Sequence, residues 1–227
     1  MSTSTVSISP RRAAVAVITA AVIAAAALGS SASTSTAIAA SARAGALSPK
    51  AVAFDDAMRG LWQAHGTWTE RAIVDFVGGL PDTNLVVGRL LQNQVDIGDA
   101  VKPYYGAKAG NKLTALLQAH INAAVNVLKA AKSGDTSSTS KAEAAFFANG
   151  NQLAAFLHSA NPEHWSLKAM RTMMRVHLNQ VIALAVDQLK GQYKAAIHEY
   201  GVYIDHILDM AHMLSTGVEQ QFPSRFR

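Results

Sequence analysis

The sequence predicts an all-α protein that folds as an antiparallel up-and-down bundle of about six helices. Ala, Leu, Gln and Lys are plentiful, and apolar residues recur every three or four positions without an alternating strand pattern. The connections between these apolar stripes are short, and short connections favour antiparallel neighbours. With 227 residues and no cysteine, the chain is long enough to bury a sizeable core without disulfides.

The first 39 residues are expected to form a secretory signal peptide outside the bundle. Arg11 and Arg12 precede an uncharged apolar run at 13–29, and residues 37–39 form an Ala-x-Ala cleavage site. The alternative is a retained membrane anchor, because the run is only slightly too short to span a bilayer. Its alanine-rich, weakly hydrophobic composition favours cleavage, which predicts a secreted or cell-envelope protein with no stable membrane span.

The charge pattern of the remaining chain argues against a nucleic-acid partner. After cleavage, eighteen basic and fifteen acidic side chains remain, which gives a net charge of +3. The basic residues are scattered rather than clustered on one helix, so a nucleic-acid-binding surface is not expected. A cell-envelope partner and any oligomeric state are left open.

Six amphipathic segments define the expected elements in chain order. Residues 40–54 are small and polar and predict a flexible lead-in, and residues 55–223 form the bundle domain. The predicted helices are 55–77, 83–101, 107–132, 141–159, 167–189 and 193–216. The stretch SGDTSSTS at 133–140 lacks apolar periodicity and predicts a linker. It would divide the bundle into two sets of three helices, and a faint sequence echo leaves an internal duplication open.

A polar residue lies on or beside the apolar stripe near the middle of each predicted helix. These residues are His65, Asn93, His120, Asn149, His177 and His206. Mid-helix positions of an antiparallel bundle share one level, so a buried polar layer is expected, with Asp96 one turn from Asn93. Burying unpaired polar groups costs about 1–3 kcal/mol each, so the layer must be hydrogen-bonded, hydrated or metal-bound.

The layer could hold a metal ion or a cofactor. The candidate metal ligands are His65, Asp96, His120, His177 and His206. Neutral imidazole is the commonest metal ligand in proteins, and this set suits a divalent transition metal. A second pattern adds Met173 and Met210 as candidate cofactor ligands, because each lies four residues from a histidine on one helix face. Thioether with imidazole suits copper and, less well here, non-covalently bound haem.

The same histidines and methionines can also be interpreted without a binding site. The histidines could be hydrogen-bonded core residues and the methionines core filler. No catalytic residue is predicted, because the sequence has no Gly-x-Ser-x-Gly, His-Glu-x-x-His or phosphate-loop motif. The function is that of a binding protein or, as the alternative, that of a structural or interaction protein of the cell envelope, whose polar layer fixes helix register. An enzyme is left open as a third interpretation that no motif supports.

Four motifs carry a resemblance to a known family. They are LWQAHGTW at 61–68, RLLQNQVDIGDAVKPYYG at 89–106, KLTALLQAHI at 112–121 and HILDMAHMLSTGVEQQFP at 206–223. Over residues 55–223 the chain resembles an uncharacterised, often exported helical family of soil bacteria. The resemblance implies an actinobacterial or similar source. It implies no activity, so no residue role follows from it.

Overall fold

The computed structural model describes residues 48–227, and the regular structure in that range is entirely helical. The five helices are α1 (Pro49–Gly78), α2 (Thr83–Ser133), α3 (Thr136–Ala160), α4 (Leu167–Leu189) and α5 (Tyr193–Gln221), and a 3₁₀ turn (Pro223–Phe226) follows. The predicted signal peptide at 1–39 lies outside the described residues. Within 48–227, no helix combines the length and apolar character needed to cross a membrane.

Two helices begin earlier than their apolar patterns predict, because polar residues cap them. Helix α1 begins at Pro49, where the composition predicts a flexible lead-in; the Ser48 side chain accepts the Ala51 N–H at 3.2 Å. Helix α3 begins at Thr136, so the predicted linker at 133–140 is mostly helical and the connection is only 134–135. Asp135 accepts the N–H groups of Ser137 and Ser138. Small polar residues act here as a cap and a first helical turn.

Helix α2 contains the corner that the sequence predicts between two separate helices. Gly106 has non-helical backbone angles, with φ 80° and ψ 165°. A hydrogen bond joins the segments before and after Gly106: the hydroxyl of Thr114 donates to the carbonyl of Gln94 at 3.4 Å. In one straight helix these residues would be about 30 Å apart. The first limb (83–105) and the second limb (107–133) of α2 therefore lie side by side.

The two limbs approach each other closely at a pair of glycines. A Cβ atom on Gly98 would lie 2.8 Å from the carbonyl oxygen of Gly110, and a Cβ atom on Gly110 would lie 2.6 Å from that of Gly98. Both distances are too short for any side chain. The missing Cβ atoms are what allows the backbones of the two limbs to touch below the corner.

The helices pack in a ring around one main core. Each helix contacts the next along the chain, and α5 returns to pack on α1. The core includes Met58, Ile97, Phe146, Leu178 and Ile207, one from each helix. Residues before and after the short α2–α3 connection share this core. The described part of the chain is therefore not divided into two independently packed halves.

The Pro-Tyr-Tyr-Gly corner is held by the end of the chain. The ring of Tyr104 lies 4.9 Å from that of Phe54 and stacks at 5.3 Å on Phe226. The hydroxyl of Tyr105 donates to Gln221 Oε1 at 2.6 Å. Aromatic packing and this hydrogen bond account for both tyrosines, and neither lies among the clustered histidines of the core.

Candidate functional site

Four histidines from four helices meet in the core, with His177 at their centre. The ring centroid of His177 lies 5.9 Å from that of His65, 5.6 Å from that of His120 and 6.3 Å from that of His206. His65, His120 and His177 are 2–3% exposed, and His206 is half-buried. The four imidazoles, which we call the histidine cluster, are contiguous through His177.

Asparagine and glutamine side chains surround this cluster and fix its protonation pattern. Asn149 donates from Nδ2 to the carbonyl of Leu116 at 3.2 Å, which turns its Oδ1 atom towards His120 Nδ1 at 2.8 Å. Because that oxygen can only accept, Nδ1 of His120 carries the proton and the lone pair is on Nε2. Asn93, also fully buried, donates to the carbonyl of Leu61 at 3.0 Å.

His206 and His177 differ in how their nitrogens are satisfied. His206 donates from Nε2 to the carbonyl of Met173 at 3.3 Å, so its lone pair is on Nδ1. His177 has a buried Nδ1 atom without a hydrogen-bond partner. Its ring lies near-parallel to those of His120 and His206, with interplanar angles of 28° and 25°. The central imidazole is thus packed by ring faces and not by hydrogen bonds.

Burial keeps the histidine cluster neutral at physiological pH. Desolvation lowers the pKa of His65 to about 3 and that of His120 to about 4, against 6.5 for an ordinary histidine. Burial first, and then the neighbouring imidazoles, lowers the pKa of His177 well below 6.5. The pKa of half-buried His206 is also lowered by burial. A neutral imidazole keeps one nitrogen lone pair, and this is the form that binds metals. The lone pair of His65 accepts a hydrogen bond from Gln94 Nε2 to Nδ1 at 3.2 Å.

A small cavity lies against the cluster and is lined by histidine and methionine side chains. Three histidines and four methionines line it: His65, His120, His177, Met58, Met173, Met174 and Met210. The other lining residues are aliphatic or tryptophan, so within residues 48–227 no formally charged group lines the cavity at neutral pH. About 40 Å³ is accessible to water, which is room for a few waters or one ion and its ligands. A haem plane is far larger than this space.

The candidate ligand Asp96 does not line the cavity, and one buried polar residue was not predicted. Asp96 is half-buried, pairs with Arg89 at 3.3 Å and accepts from Gln92 at 3.1 Å. Its inward neighbour is Gln94, which is fully buried and whose Nε2 atom lies 3.2 Å from His65 Nδ1. Gln94 follows the core residue Leu90 by four positions, and this spacing is the signal that could have identified it.

The structure does not assemble the five predicted metal ligands into one set. Among residues 48–227, no three His, Asp or Glu side chains are arranged so that they could hold a metal ion. Asp96 pairs with Arg89, and the ring of His177 is stacked on those of His120 and His206. Of the seven candidate ligands, His65, His120, His177, Met173 and Met210 line the cavity, and His206 contacts His177 from the surface side.

Comparison of the chain with family models, curated proteins and solved structures finds no match in any of the three. The resemblance to the soil-bacterial family stays a prediction based on its four motifs.

Proposed function

We propose that this chain is an exported binding protein that holds a single copper ion in its core cavity. The observation that carries the proposal is the lining: the side chains of three neutral histidines and four methionines border one space with room for an ion. Thioether and imidazole are soft and borderline ligands that suit copper, and Cu(I) above all. His120 and His177 supply nitrogens, and Met173, Met174 and Met210 supply sulfurs.

The absence of charge in the cavity lining favours a monovalent ion over a divalent one. The cost of moving an ion out of water rises with the square of its charge, so a divalent ion loses about four times as much hydration energy as a monovalent ion. No carboxylate lines the cavity to offset that loss. The described residues therefore suit Cu(I) better than the divalent metals that carboxylate and histidine sites hold.

The proposal also includes an antiparallel bundle of six helices and export of the chain. Counting the two limbs of α2 as separate helices gives six, and the short connections suit neighbours that run antiparallel in an up-and-down bundle. Export by a signal peptide cleaved after Ala39 would bring the protein to the cell envelope or its surroundings. The N-terminal residue of the protein recovered outside the cytoplasm tests this part, and Ala40 is the expected result.

Metal content measured on the purified protein, prepared without a His tag, tests the function. We expect uptake of one Cu(I) ion per chain under anaerobic conditions, with weaker uptake of zinc. His177→Phe, which keeps a buried ring but removes both nitrogens, should abolish tight uptake. The matched control is His198→Gln, because His198 is exposed and lies outside the cavity. A folded protein that takes up no copper would contradict the proposal.

A structural function is the second candidate, and one specific observation favours it. Three buried asparagine amides donate to main-chain carbonyls of neighbouring segments: Asn93 to Leu61, Asn149 to Leu116, and Asn161 to Gly217 at 2.8 Å. Such bonds are lost if a helix slides by one turn, so the polar layer can fix helix register in an envelope protein. A protein that takes up neither copper, zinc nor iron would favour this candidate.

A further inference from the structure

A surface groove between α4 and α5 shares two wall residues with the histidine–methionine cavity. The groove is open to solvent and has a volume of about 640 Å³. Met173 and Met210 line both the groove and the cavity. Their side chains therefore form part of the wall that separates solvent from the core, and methionine side chains are unbranched and flexible.

The groove has donor atoms of its own, and they continue those of the cavity. Half-buried Met213 and half-buried His206 both line it. His206 donates from Nε2 to the carbonyl of Met173, which leaves its lone pair on Nδ1, and its ring lies 6.3 Å from that of His177. Methionine and histidine side chains thus line both the groove at the surface and the cavity that contains the central histidine.

The charges that line the groove do not select a divalent cation. Lys168 and Asp209 are the charged residues there, and they offset each other. Selection along the groove would therefore depend on ligand type, and thioethers select Cu(I). The thioethers of Met173 and Met210 offer the same chemistry at the wall, so an ion would not have to shed its soft ligands in order to enter.

We propose that the groove between α4 and α5 is the entry route for Cu(I), in which Met213 and His206 receive the ion and Met173 and Met210 pass it to His177. The steps are ligand exchanges: one donor atom replaces another on the metal, the copper stays Cu(I), and no electron is transferred. This inference rests on the proposed function and adds the route and the order of the ligands.

The route is tested by the rate of copper uptake, measured separately from affinity. Cu(I) held by a chromophoric chelator is mixed with the full-length protein without oxygen, and the chelator absorbance is followed in time and to equilibrium. In Met213→Leu combined with His206→Phe, the uptake rate should fall by about tenfold or more, equivalent to about 1.4 kcal/mol in the barrier. The equilibrium affinity should stay within about threefold, a difference of less than 1 kcal/mol.

Met170→Leu is the matched control, because Met170 is fully buried but lines neither the groove nor the cavity. It should leave both rate and affinity unchanged. Met213→Leu alone retains side-chain volume, and it should slow uptake even if the double variant folds poorly. Unchanged rates in both variants would overturn the route, and so would a loss of affinity that equals the loss of rate. A wild-type protein that binds no copper at equilibrium would refute the proposed function itself, and the route with it.

Discussion

His177 lies at the centre of four imidazoles with a buried Nδ1 atom that nothing satisfies. A buried polar atom without a partner costs about 1–3 kcal/mol. His120 differs, because its Nδ1 atom donates to Asn149. Two chemically identical side chains thus contribute to stability with opposite signs, and this contrast can be measured.

Replacing each of these histidines by phenylalanine in the metal-free protein should change stability in opposite directions. His177→Phe removes an unsatisfied nitrogen beside a cavity that can accept the larger ring, so the free energy of unfolding should rise by about 1 kcal/mol or more. His120→Phe leaves Asn149 Oδ1 without its donor, so the free energy should fall by about 1–3 kcal/mol. Urea denaturation at pH 7 measures both, and shifts of equal sign would contradict the hydrogen-bond assignment.

At the scale of the elements, helix α2 and its corner were predictable in part. Pro103 and Gly106 mark the corner in the sequence, but the contact between Gly98 and Gly110 joins residues twelve positions apart and has no local signal. Helical spacing identified the buried stripe that contains Asn93, but it did not identify the side chains with which Asp96 pairs. Ile97, four residues after Asn93, is fully buried, whereas Asp96, three residues after it, lies at the edge beside Arg89.

The residues that line the cavity were also only partly predictable from the sequence. His65, His120 and His177 stand out because polar residues on an apolar stripe are conspicuous. Met58 and Met174 line the same space, but a methionine on an apolar stripe is ordinary core. Periodicity identifies which face of a helix is buried. It does not tell which buried side chains border a void, since that depends on how neighbouring helices pack.

The glycine contact in α2 predicts a large effect from a small substitution. In Gly98→Ala, the new methyl group would overlap Thr114 Oγ1 and lie 2.8 Å from the carbonyl oxygen of Gly110. The limbs must then separate, and overpacking of this kind costs about 1–3 kcal/mol. Thermal unfolding monitored by circular dichroism measures the loss.

Gly88→Ala is the control within the same limb. No atom lies within 4 Å of a Cβ atom built at Gly88, and alanine is the better helix former by about 0.5–1 kcal/mol. That variant should be slightly more stable than the natural protein. If both variants are tolerated equally, the limbs are not in backbone contact.

At the scale of the whole molecule, the neutral histidine cluster couples folding to pH. The pKa values of His65, at about 3, and His120, at about 4, are below the 6.5 of an ordinary histidine, and that of His177 is also lowered. At a pH between the folded-state pKa values and 6.5, the unfolded chain binds more protons than the folded chain, so the free energy of unfolding rises with pH. The stabilisation is complete above about pH 6.5 and is lost as pH falls towards the folded-state pKa values.

Acid should therefore unfold the metal-free protein cooperatively. Each buried histidine contributes a slope of up to about 1.4 kcal/mol per pH unit, and the three together give about 4 kcal/mol per pH unit. A typical domain stability of about 5–15 kcal/mol would then be largely lost one to three units below pH 6.5. Urea denaturation at a series of pH values measures the slope. His177→Phe removes one of the three groups and should reduce it by about a third, whereas exposed His198→Gln should leave it unchanged. A stability that stays level from neutral pH down to about pH 5 would contradict a cluster of buried, neutral histidines, because such groups cannot avoid protonation in the unfolded chain.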